Sequence, residues 1–138
     1  MSFKKFDEKF GEECEKIVLE ILNKNNYFDD GILVRHPLKF NIYDFYGIEN
    51  WYELKSRKCS YKSYPTTLIA KDKAVKNGMV FLFYFDDDKT LYYIIYEPEI
   101  FKKFDCNKFK RFQRVDYNDK EKDYFYIPIE NLIKIEYN

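Results

Sequence analysis

With 138 residues, 46% of them hydrophobic and 21% aromatic, the chain suffices for one domain with a real core and is too apolar for a disordered segment. Its 24 basic and 24 acidic residues balance, which excludes a protein that coats polyanions through net charge alone. Cys14, Cys59 and Cys106 are scattered and odd in number, so free thiols in a reducing, intracellular compartment are expected rather than a disulfide framework or a secreted protein. No apolar signal region opens the chain and no apolar run nears the roughly 20 residues of a membrane span, so no membrane partner is expected.

Apolar residues at three- and four-residue steps (Phe10, Cys14, Ile17, Val18, Ile21, Leu22) predict a helix from about Phe6 to Asn23. Asp7, Glu8, Glu12 and Glu13 crowd its expected first turns, where the helix dipole favours them. Three strand-like runs follow, Ile32–Arg35, Asn41–Tyr46 and Trp51–Arg57, rich in aromatic and β-branched residues. Pro65-Thr66-Thr67 reads as a helix start with a capping Thr, and Asn77-Gly78 as its end. Met79–Phe85 is apolar enough for a strand buried on both faces, and Asp86–Lys89 turns the chain into Leu91–Tyr96 to make a hairpin. Beyond Pro98 a short basic helix or loop, strand-like runs at Phe112–Asp116 and Tyr124–Ile129, and a helix or strand near Glu130–Ile135 complete one domain spanning residues 1–138. Lysine outnumbers arginine 20 to 4 and Asn, Ile, Tyr and Phe are abundant, a bias that suits an AT-rich genome.

Charge is unevenly distributed. Residues 1–30 hold five Lys against eight Asp or Glu, whereas residues 55–76 hold seven Lys or Arg against Asp72 alone. Residues 102–114 hold six Lys or Arg against Asp105. A polyanion is drawn to the middle of the chain and repelled from its start.

A hairpin with its turn at Ile48-Glu49 pairs residues whose numbers sum to 97, which sets Asp44 against Glu53. Like charges facing each other across a ladder are destabilising unless something compensates, and a divalent cation is the obvious candidate. Carboxylate oxygens suit Mg²⁺ or Mn²⁺. Lys55, two residues on, falls on the same face by strand alternation, while Tyr52 and Leu54 face a core. Two carboxylates for a metal, and a cation to orient water or stabilise a phosphate, make a hydrolytic set. A solvated Glu-x-Lys surface pair is the plain alternative. Between this strand and the next element Arg57, Lys58, Ser60, Tyr61, Lys62 and Tyr64 interleave cations with aromatics, a mixture suited to phosphate contacts and stacking on unpaired bases.

Asp44, eight residues, then Glu53-Leu54-Lys55, within a helix–three strands–helix–strand order, resembles the PD-(D/E)XK nuclease superfamily over residues 6–85. That superfamily includes restriction endonucleases, Holliday-junction resolvases and phage or viral exonucleases. The resemblance implies an α/β (α+β) fold with a restriction-endonuclease-like core: a central mixed β-sheet flanked by helices, in αβββαβ order, with a C-terminal β-rich extension. It implies a Mg²⁺- or Mn²⁺-dependent nuclease acting on nucleic acid, DNA before RNA, with a homodimer among its assemblies. Asp44 and Glu53 would be metal ligands and Lys55 the catalytic lysine. Glu15, following Gly11 on the first helix, would support the site, with Glu12 as second choice. Lys73 on the second helix would face the site or the nucleic acid, with Lys71 and Lys76 as weaker candidates. Tyr43 stands where the motif name has Pro. Two other readings stay open: a catalytically silent member that binds nucleic acid or protein, and an RNA-cutting enzyme of cap-snatching type in which His36, the single histidine, joins the ligands.

Overall fold

A 23-residue helix, α1 (Phe3–Asn25), opens the computed structural model, which describes residues 3–37, 43–109 and 122–137. It buries Cys14, Val18 and Leu22 at four-residue spacing, with Phe10, Leu19 and Ile21 packed beside them. Ile17, expected in that stripe, is 39% exposed and lies at its edge. The helix begins before Phe6, so Asp7 and Glu8 miss the first turn, which holds no acidic residue. Asn26 ends it in the left-handed region with φ 44°.

Among the described residues nine strands, numbered in chain order, form two sheets. The larger runs β1 (Val34–Arg35), β2 (Phe45–Tyr46), β3 (Trp51–Arg57), β5 (Val80–Phe85), β6 (Thr90–Ile95) and β9 (Ile133–Ile135), in that spatial order. It is mixed: β3 and β5 are parallel and every other pair is antiparallel. The smaller sheet is antiparallel, ordered β4 (Thr66–Ala70), β8 (Lys122–Pro128), β7 (Asp105–Phe109). A short helix, α2 (Pro98–Phe101), and three 3-10 turns complete the described elements.

Strand alternation explains the layering. All six side chains of β5 are buried. Val80, Leu82 and Tyr84 join Tyr52, Leu54 and the α1 stripe in one core, while Phe81, Phe83 and Phe85 join Ile69, Phe125 and Ile127 of the smaller sheet in another. The β5–β6 hairpin and its turn at Lys89 (φ 56°) follow the sequence reading. The molecule is therefore α+β with a mixed central sheet.

The helix expected to open at Pro65 is absent. Thr66–Ala70 is strand β4 and Lys71–Lys73 a single 3-10 turn, so the αβββαβ order does not hold. Helices do not cover both faces either: α1 covers one and the three-stranded sheet the other. The physical reason is long-range pairing, since Thr67 lies opposite Ile127 and Ile69 opposite Phe125, sixty and fifty-six residues away. The expected run at Phe112–Asp116 lies outside the described residues.

A buried carboxylate holds the β2–β3 hairpin. Asp30, 5% exposed, accepts hydrogen bonds from the backbone N–H of Glu49 (2.8 Å) and Asn50 (3.1 Å) and from the Tyr52 hydroxyl (2.9 Å). Its own carbonyl accepts from Ile48 N–H at 2.9 Å. Gly47 is required beside it, because a Cβ there would fall into the Asp30 carboxylate and 2.6 Å from its carbonyl oxygen. Asp30→Ala strands three donors at once and should lower unfolding stability by about 3–5 kcal/mol in urea melts. Gly47→Ala should cost about 2 kcal/mol or more. Wild-type stability of either variant would refute the clamp.

Candidate functional site

β2 is only two residues long, and that brevity shapes the site. The paired residues Phe45–Tyr52 and Tyr46–Trp51 have the expected register. Regular pairing stops there, so Asp44 is not a ladder partner of Glu53. Instead Asp44 N–H donates to Tyr52 carbonyl at 2.8 Å, and its carboxylate accepts the Leu54 N–H at 2.7 Å. A side-chain oxygen thus replaces the backbone acceptor that a longer β2 would have offered. Its own carbonyl accepts His36 N–H at 2.8 Å, tying in the end of β1.

Glu53 and Lys55 share the face of β3 opposite Tyr52 and Leu54, as alternation requires. Glu53 is 4% exposed, with Oε1 3.7 Å from Lys55 Nζ and Oε2 buried with no hydrogen-bond partner. Burial, then the negative charge of Asp44, raises the Glu53 carboxyl to about 7, against the pull of Lys55 and Lys73. Burial also raises Asp44, although the Leu54 N–H, Lys55 and Lys73 oppose it. Burial lowers the Lys55 ammonium, with Glu53 working against that shift.

Glu15 of α1 joins the group. It pairs with Arg35 at 2.9 Å and hydrogen-bonds to Asp44; burial and the Asp44 charge raise it to about 7. Glu12 is exposed and touches the cluster only through its field on Glu15. Lys73 arrives from the 3-10 turn after β4 rather than from a helix, and its charge acts on Asp44, Glu53 and Lys55. Asp44, Glu53, Lys55, Glu15 and Lys73 therefore converge. Among the described residues, however, no group of three or more His, Cys, Asp and Glu is disposed to hold a metal ion as it stands.

The remaining basic residues diverge. Arg57 ties β3 to β4 through Thr67 Oγ1 (3.3 Å) and the Leu68 carbonyl (2.6 Å). Lys58 sits over the Phe10 ring at 5.2 Å and Lys76 over Trp51 at 4.6 Å. Lys62 is exposed on the 3-10 turn Tyr61–Ser63. Tyr61 packs inward, stacked on Tyr92 at 4.1 Å, whereas Tyr64 is 65% exposed. His36 packs edge-on against Tyr43 at 4.9 Å. Asp30, which fixes the hairpin carrying this site, had no sequence signal beyond its position in an Asp-Asp-Gly turn.

No family model, curated protein or solved structure matches this chain, so the chemistry of the cluster carries its own reading. Glu15 and Glu53 hold protons in the fold up to about pH 7 against a usual value of 4.5. The stability they contribute is therefore complete below pH 4.5 and lost as pH rises through 7. Metal-free protein should lose on the order of 2 kcal/mol between pH 5 and 8, and Glu53→Gln should flatten much of that slope. Thermal melts across this range check it; a pH-independent wild type would refute it.

Proposed function

We propose that the chain is a divalent-metal-dependent nuclease, with Asp44 and Glu53 holding Mg²⁺ or Mn²⁺ and DNA as its first substrate. The observation that carries this reading is the convergence of Asp44, Glu53 and Lys55, joined by Glu15 and Lys73, around a buried Glu53 oxygen that has no partner. Three carboxylates forced together are a poor arrangement for stability alone, because burial and mutual repulsion drive them to take up protons. The donor set is hard oxygen, the kind that Mg²⁺ and Mn²⁺ prefer. A bound ion would supply Lewis-acid charge at a phosphate and a water of lowered pKa.

The other roles belong to the chain itself. Leu54 N–H holds the Asp44 carboxylate in one orientation. Lys55, half-buried and 3.7 Å from Glu53, presents its ammonium where a phosphate's developing charge could be neutralised. Lys73 adds a second positive charge, and Arg35 positions Glu15 against Asp44.

Purified protein should cut DNA only with Mg²⁺ or Mn²⁺ present. Glu53→Ala and Lys55→Ala should each lower the rate by about 100-fold or more while melting cooperatively. Cutting that survives both changes would overturn the reading. The internal pairing of Glu53 with Lys55 and of Glu15 with Arg35 favours a second reading, a silent module that binds nucleic acid or protein. Calorimetry separates them: the nuclease takes up Mn²⁺ with release of protons near pH 6.5, and the silent module does not.

A further inference from the structure

A cavity of about 470 Å³ lies beside the cluster, and Lys55 lines it. It forms where β3 and the chain after it cross β4 and β8. Arg57, Tyr64, Pro65, Tyr124 and Tyr126 line it with Lys55. Tyr124 and Tyr126 are on the face of β8 opposite the buried Phe125 and Ile127. Ala70 is the register partner of Tyr124, and so small a side chain leaves space beside that ring. The size is that of a small-molecule subsite.

We propose that this cavity receives one unpaired nucleobase of the substrate strand, so that the preferred substrate has a single-stranded nucleotide beside the bond to be cut. The inference rests on the nuclease reading for its substrate and on the cavity for its specificity. Aromatic faces stack on any base, and the cationic wall of Lys55 and Arg57 suits the phosphate that travels with it. A base inside a duplex cannot enter without leaving its stack. Lys62 follows the lining residue Tyr61 and is exposed, which adds a positive charge near the cavity. Tyr61 contributes only an edge, since its ring is committed to Tyr92.

The test uses the full chain in EDTA and a fluorescent base analogue, 2-aminopurine, in a single strand and in a blunt duplex of the same sequence. Deoxy and ribo strands run side by side. The single strand should bind about tenfold or more tightly than its duplex in at least one sugar form, with the analogue's fluorescence changed on binding. Tyr64→Ala should weaken single-strand binding at least about fivefold, leave duplex binding unchanged, and be rescued by Tyr64→Trp. Tyr124→Ala provides a second probe from the other wall. Equal binding of strand and duplex, or no effect of either variant, overturns the base pocket. Cleavage with Mn²⁺ is read separately: strand-selective binding without cutting keeps the pocket and removes the nuclease, whereas equal cutting of strand and blunt duplex does the reverse.

Discussion

The Asp30 carboxylate is the constraint on which the site depends. It gathers two backbone amides and a tyrosine hydroxyl from the hairpin turn, while its carbonyl takes a third amide. A buried carboxylate without these donors would be costly; with them Asp30 holds Ile48, Glu49, Asn50 and Tyr52 in place. The turn then sets where β2 ends and how β3 enters the sheet. β2 begins only at Phe45, so Asp44 lies just outside the ladder and its carboxylate reaches the Leu54 amide. The clamped turn holds the register in which β2 meets β3, and Asp44 sits one residue before β2 in that register.

The electrostatic consequence is a crowded group of carboxylates and ammoniums in which Glu53 and Lys55, on the face of β3 turned away from the α1 core, are met by Asp44, Glu15 and Lys73. Burial raises the carboxyls and lowers Lys55, so the protein tends toward neutral forms on both sides. Such tension is common where a charged ligand is accommodated, because the ligand supplies the charge that the fold leaves out. The orphaned Glu53 oxygen is the most direct sign of it.

The three-stranded sheet changes what surrounds this group. A helix after Pro65 would have laid one convex surface against β3. A sheet instead brings β4 and β8 across it, holds Arg57 on the β4 backbone and leaves a tyrosine-lined cavity with Lys55 on its wall. Lys73 still comes near, carried by the short turn that ends β4.

Local pattern alone determined much of this protein. Strand alternation separated Tyr52 and Leu54 from Glu53 and Lys55, the apolar run at Met79–Phe85 marked the central strand, and the hairpin register was readable from its turn. These features depend on neighbours in the chain. Tertiary structure decided the rest. Thr66–Ala70 carries helix-start chemistry at Pro65-Thr66 yet is a strand, because its partner β8 lies more than fifty residues on and burial of Ile69 and Ile127 outweighs local propensity. Asp44 comes close enough for its charge to act on Glu53, but its carboxylate is held by the Leu54 N–H just before a two-residue strand rather than set opposite Glu53 across a ladder. A register sum gives the pairing but not where it stops. Before Phe45 the Asp44 carboxylate takes the Leu54 N–H that a strand carbonyl would have taken, and His36 from outside the hairpin holds the Asp44 carbonyl.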